Sequence, residues 1–213
     1  MSRRILVISA GLSQPSSTRL LADQLADASR AAVGGRGESA QVETIELREL
    51  AVEMAQTMVS GNRPTPGMVD AKRKIAAADG IIAVTPVFTA SYSGLFKTFV
   101  DLLDKDSLTG KPVLVAATAG TSRHSLVLEY AMRPLFSYLR AVVVPTAVFA
   151  ATEDFGGDVD LERRVHRAAG ELATLVVAER TGVAGLAGTG EEGVEPDAPV
   201  TDFAELLRGH DGG

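Results

Sequence analysis

Short blocks of continuous apolar residues recur along the chain, separated by longer stretches in which apolar positions fall three or four apart. Ile5–Ile8, Gly80–Val84 and Pro112–Ala117 are apolar at every position, which reads as strands buried on both faces. Ala141–Ala150 reads as a further strand. Gln41–Leu47 alternates polar and apolar residues instead, as expected near the edge of a sheet. Between these blocks the spacing predicts a helix from about Thr18 to Val33, with Leu20, Leu21, Leu25 and Ala28 inward and Ser16 or Ser17 as the N-cap. Further helices are expected over Arg48–Ser60 (Leu50, Met54 and Met58 inward), Met68–Ala78, Gly94–Leu103 and Ser125–Leu139, the last interrupted at Pro134. Leu161–Ala178 completes the set.

Strand and helix therefore alternate through the chain. Parallel strands joined by right-handed crossover helices produce this order, and the helices must then cover both sheet faces. The expected fold is a three-layer α/β domain over residues 1–182, with a five-stranded parallel sheet. Residues 183–213 are rich in Gly, Pro and acid, with one apolar patch at Phe203–Leu207. That composition fits a disordered tail or an arm that docks on a neighbouring subunit.

Composition narrows the chemistry. The chain has no cysteine, which excludes disulfides, thiolate metal sites and thiol nucleophiles. The net charge is −6 and no segment is strongly basic, so nucleic acid and anionic membrane are disfavoured as partners. No run reaches the ~18 apolar residues of a membrane helix, and Met1–Arg4 leads into a strand without a signal-peptide pattern. A cytoplasmic location is expected.

Ligands of open parallel sheets bind outside the carboxyl ends of the strands. Three loops leave apolar strands at that rim: Ser9–Thr18, Thr85–Gly94 and Thr118–His124. The first carries Ser9, Gly11, Ser13, Ser16, Ser17 and Thr18 and then opens a helix, so hydroxyls and free N–H groups can hold a phosphate monoester. Arg19 adds charge there or faces solvent. The loop matches neither G-x-x-x-x-G-K-[ST] nor G-x-G-x-x-G. A plain Ser-rich helix cap accounts for it equally well. The second loop, with Pro86, Val87, Phe88, Ser93 and Gly94, can lie flat against a planar ring; alternatively Phe88 and Tyr92 are core aromatics of a buried turn. The third, with Thr118, Gly120 and Thr121, can flank a ring or a polyol chain. His124 fits a solvated cap better than a general base.

Together these residues resemble a known family. Ser9-Ala-Gly-Leu-Ser-Gln-Pro-Ser-Ser-Thr-Arg19 and Thr85-Pro-Val-Phe-Thr-Ala-Ser-Tyr-Ser-Gly-Leu-Phe-Lys97 are similar to the NAD(P)H-dependent FMN reductases, in the branch that serves two-component luciferase-like flavin monooxygenases. Leu128-Glu-Tyr-Ala-Met-Arg-Pro-Leu135 also resembles their fourth-helix pattern. The likeness runs from about Arg3 to Ala150.

The resemblance implies a flavodoxin-like fold, FMN as cofactor, NADPH or NADH as hydride donor, a homodimer or homotetramer, and a partner monooxygenase. It implies no catalytic side chain and no metal. Ser16 and Thr18 match the phosphate ligands, Pro86, Val87 and Phe88 the segment at the ring, Ser93 and Gly94 the S-G pair, and Gly120 the third-loop glycine. One departure stands out: many relatives carry an arginine early in the first loop, where this chain has Ser13. Tyr130 matches a tyrosine at a bulged subunit interface of some relatives, or is a packed helix aromatic. Two rivals remain open at this point: a quinone, azo or metal-oxyanion reductase with fixed FMN, and a non-catalytic electron carrier.

Overall fold

Strands that are apolar on both faces must be covered on both, and the computed structural model shows how. It describes residues 2–157 and 159–178, all within one unit, so residues 183–213 lie outside the described residues. β1 (Ser2–Ser9) pairs in parallel with β2 (Ser39–Glu46) on one side and β3 (Gly80–Phe88) on the other. β3 pairs in parallel with β5 (Pro112–Ala119), with Ile81 opposite Val113. The fifth position is filled by two short pieces, β6 (Val142–Val143) and β7 (Val148–Ala151), both parallel to β5. The path β2-β1-β3-β5-β6 is the flavodoxin-like order, with its switch point between β1 and β3.

Alternation along each strand builds two cores. Ile5, Val7, Ile82, Val84, Leu114 and Ala116 pack beneath α1 (Ser17–Gly34) and α6 (Val159–Val177). Leu6, Ile8, Ile81, Ala83, Val113 and Val115 pack against α2 (Ala51–Val59), α3 (Pro66–Ala77), α4 (Gly94–Asp101) and α5 (Arg133–Tyr138). Gly80 lets β3 start directly under α6. A Cβ there would stand 2.6 Å from Val176 Cγ2, inside a well-packed core. No helix among the described residues is long and apolar enough to cross a membrane.

Several expectations need correcting. Leu20 is 47% exposed, because Leu21, Leu25 and Ala28 already follow the inward i, i+4, i+7 stripe and Leu20 falls off it. Met58 is likewise exposed and Thr57 is buried in its place, three residues after Met54. The 3₁₀ turn Leu47–Leu50 that precedes α2 resets the helical phase. Pro134 does interrupt the regular α-helix: helical residues run on from 127 to 138, and its missing N–H falls inside that run. The turn before it widens to a π turn, Leu128–Met132, in which the Arg133 N–H donates to the Leu128 carbonyl. Tyr130 on that turn is 79% exposed, so it is not a packed helix aromatic.

Ala141–Ala150 is not one strand. Pro145 breaks it, and Glu171 of α6 fills the gap by accepting from the Thr146 N–H and hydroxyl, each at 2.7 Å. Thr85–Ser93 is not a loop. β3 runs on to Phe88, and a two-residue turn returns it as β4 (Ser91–Tyr92), antiparallel to it. Pro86 is tolerated in this strand for a positional reason. The Val84 carbonyl bonds Ala10 on the β1 side, so Pro86 faces that side two residues on, past the end of β1.

The turn itself holds Thr89 at φ 48° and Ala90 at φ 67°. Two positive φ values in succession suit a type I′ hairpin, where Asn-Gly is the usual choice. Neither residue here is a comfortable occupant, and such positions cost about 1–3 kcal/mol each. Ala90→Gly is therefore expected to raise stability by about 1 kcal/mol, seen as a melting temperature higher by about 2–4 °C. An unchanged or lower melting temperature would show that the turn is not strained.

Candidate functional site

The first loop takes its shape from Gly11. A Cβ at Gly11 would stand 2.2 Å from Ser16 Oγ, so only glycine lets the chain fold back over itself here. Ser16 then becomes the N-cap of α1: its extended backbone (φ −123°, ψ 120°) turns the chain, and its Oγ accepts from the Arg19 N–H at 3.2 Å. The first turn of α1 carries no acidic residue. Its Ser17 and Thr18 N–H groups have no intrahelical carbonyl to bond, and the helix dipole adds partial positive charge.

Thr18 is buried, and its Oγ1 lies 2.8 Å from Oγ1 of Thr118 at the end of β5. This hydroxyl pair ties the first helix to the third strand end across the rim. Around it lies a cavity of about 330 Å³. The first loop contributes Leu12, Ser13, Ser16, Ser17 and Thr18, the end of β3 contributes Pro86, Val87 and Phe88, and the end of β5 contributes Thr118, Ala119 and Gly120. Thr152, just after β7, closes the far side. Not one of these side chains is charged. A larger groove of about 510 Å³ runs between α1 and α6, but it lies on a helical face and none of the three loops lines it.

Nine of the residues singled out from sequence thus converge on one cavity: Ser13, Ser16, Ser17, Thr18, Pro86, Val87, Phe88, Thr118 and Gly120. The other five sit elsewhere. Ser9 is fully buried at the end of β1, with no hydrogen-bond partner for its Oγ. Gly11 shapes the loop from beneath. Ser93 is buried as the N-cap of α4, accepting from the Phe96 N–H at 3.2 Å and donating its own N–H to Thr85 Oγ1 at 3.0 Å. Gly94, in the first turn of α4, and Thr121, at the start of a 3₁₀ turn over Ser122–His124, are exposed outside the cavity. His124 is exposed as well. Tyr92 packs on the core, 6.0 Å from Phe96 between ring centroids.

Leu12, Ala119 and Thr152 were missed. Leu12 and Ala119 are apolar residues inside loops read for their hydroxyls. Thr152 follows a strand whose carboxyl end reaches the same rim, and that position was the available signal. Arg19 does not reach the cavity. It binds Asp23 at 2.8 Å and Glu46 at 2.5 Å. Hydrogen bonds to Glu46 first and Asp23 second hold its pKa above the usual arginine range.

Residues 3–156 match the family described as NADPH-dependent FMN reductase. An FMN reductase (NADPH) of Pseudomonas aeruginosa is 33% identical over 180 residues, covering 81% of this chain and 91% of its own. The NADH-dependent FMN reductase SfnF of Pseudomonas fluorescens is 35% identical over 182 residues, covering 82% and 94%. An oxidoreductase structure from Corynebacterium diphtheriae superposes with a TM-score of 0.80 at 56% identity, covering 83% of this chain and 97% of that one.

The buried hydroxyl pair is open to test. Thr18→Val leaves Thr118 Oγ1 without its partner and is expected to cost about 1–3 kcal/mol. The double variant Thr18→Val, Thr118→Val removes both groups and should recover part of that loss. Strictly additive losses in denaturant titrations would mean that the pair is not coupled.

Proposed function

The chain belongs to the NADPH-dependent FMN reductase family, and we propose that it binds FMN in the hydroxyl-lined cavity as an exchanging substrate and supplies the reduced flavin to a partner monooxygenase. Its general activity is NAD(P)H-dependent flavin reduction.

The cavity fits FMN on three counts. The space a Cβ at Gly11 would fill is left to Ser16 Oγ. The first turn of α1 presents N–H groups with no acid to repel a phosphate. The lining alternates hydroxyls with apolar surface, as a ligand with an anionic end and a flat ring requires. Ser13, Ser16, Ser17 and Thr18 would hold the phosphate. Pro86, Val87 and Phe88 would support the ring, and Thr118 and Gly120 would flank the chain between them. Bound there, FMN supplies the acceptor for a hydride delivered by the nicotinamide. The protein's part is to bind, orient and shield. The half-exposed Phe88 and the side-chain-free Gly120 leave the mouth open for a second planar ring, which must approach to about 3–3.5 Å.

The observation that carries the supply role is the absence of charge in the lining. A phosphate held only by neutral donors and a helix dipole lacks the stronger charge-assisted bonds that would fix it. That favours a flavin that comes and goes over a permanent prosthetic group. Tyr130, exposed on its π turn, supports a homodimer or homotetramer built through that face.

Two measurements test this. With NAD(P)H in the assay, excess FMN should be reduced continuously and should show saturation as a substrate. Flavin that co-purifies and never exchanges would overturn the supply role. Ser17→Ala should weaken FMN by about fivefold, the equivalent of one hydrogen bond, and leave riboflavin unchanged. Equal loss for both flavins would show that the phosphate lies elsewhere.

A further inference from the structure

The first loop would hold the flavin phosphate, yet little holds the loop. Among the described residues, no backbone group between Gly11 and Pro15 makes a hydrogen bond. The polar contact in that span is made by the Gln14 side chain, whose Oε1, turned toward Arg48, accepts from Nη1 at 2.8 Å and from Nη2.

Packing does not replace the missing bonds. Leu12, Ser13, Gln14 and Pro15 are all exposed. A second concavity of about 330 Å³ adjoins the loop and shares Ser13 and Ser16 with the hydroxyl-lined cavity, so these residues form a wall between two open spaces. The Gln14–Arg48 contact braces that wall from the sheet edge.

The anchor of this brace is well fixed. Arg48 lies on the 3₁₀ turn Leu47–Leu50 that follows β2, beside Leu47, which is fully buried. Its guanidinium has no carboxylate partner among the described residues, so the planar fork can give two donors to one amide oxygen. Glu46, two residues earlier, does not compete for it, because it binds Arg19 at 2.5 Å. The end of β2 thus holds the chain on both sides of Ser16: Arg48 through Gln14 before it, and Glu46 through Arg19 after it.

We propose that Arg48 is a positioning residue for the flavin phosphate: through Gln14 it keeps Ser13 and Ser16 in place before FMN arrives, and so sets the affinity for FMN without touching it. The inference rests on the placement of the phosphate at the first loop and adds the residue that keeps the loop ready. Neutral donors hold an anion only where they already converge, and a loop freed from its brace would have to be ordered by the ligand. Ordering about one residue of backbone corresponds to about a tenfold loss of affinity.

The test is a cycle of variants read by flavin binding and by turnover. The full chain is titrated with FMN and with riboflavin, following flavin fluorescence. Arg48→Met should weaken FMN about tenfold and leave riboflavin unchanged. Gln14→Ala should do the same, and the double variant should be no worse than either, because both remove one shared contact. Gln14 is exposed, so its variant carries the test even if Arg48→Met folds poorly. Arg48→Lys, which keeps the charge and one donor group, should recover part of the loss. In steady-state assays Arg48→Met should raise the KM for FMN about tenfold with kcat unchanged. Losses that multiply in the double variant would overturn the proposal. So would a loss with Arg48→Met that Gln14→Ala does not share, since the arginine would then act by charge alone, and so would equal loss for both flavins. A wild type that binds FMN no tighter than riboflavin would instead overturn the phosphate placement on which the proposal rests.

Discussion

The architecture depends on one constraint: the central strands have no polar face. Burial on both sides admits only parallel strands with crossover helices, and parallel strands end together. That common end is why loops from distant parts of the chain meet. The Thr18–Thr118 hydroxyl contact shows the result at atomic scale, since it joins residues one hundred positions apart, one in the first turn of α1 and the other at the end of β5. Nothing local to either residue predicts the contact. It follows once the strands are aligned and the first helix starts directly above β5.

A rim built this way offers backbone dipoles and hydroxyls before it offers charge. The chain keeps to that economy in the hydroxyl-lined cavity. Its nearest cation, Arg19, is turned away and tied down by two acids. The result is a cavity whose hold on an anion comes from geometry. That suits a ligand needed in turnover rather than one kept in place.

Much of this was legible from residue patterns. The wholly apolar runs located β1, β3 and β5, and the alternating run located the edge strand β2. Hydroxyl-rich segments after three of these strands marked the rim, and nine of the residues named there line one cavity. The failures share a physical cause. Periodicity describes an element's interior but not its phase at the ends, which is how Leu20 and Met58 were placed inward. Proline is a visible signal in the Ser125–Leu139 segment, where a π turn gives way to α5, but an apolar run hides it within Ala141–Ala150, where it splits a strand. Ser93 and Gly94 belong to the same linear motif as Pro86, Val87 and Phe88 but do not line the cavity. In space Ser93 caps a helix, because the hairpin before it consumes residues a loop reading leaves free.

The break at Pro145 repays a closer look. Val113 faces Val143 and Ala116 faces Val148, so three steps along β5 correspond to five along its neighbour. The surplus is two residues. Because side chains alternate with a period of two, an even surplus leaves every later residue on its proper side: Phe149 and Ala151 still meet one core, Val148 and Ala150 the other. It also draws the following chain back by about 6–7 Å. In uninterrupted pairing Ala150 would stand at the rim and Thr152 would project beyond it. The slack taken up at Pro145 and pinned by Glu171 thus decides that a hydroxyl, rather than a methyl group, closes the far wall of the cavity.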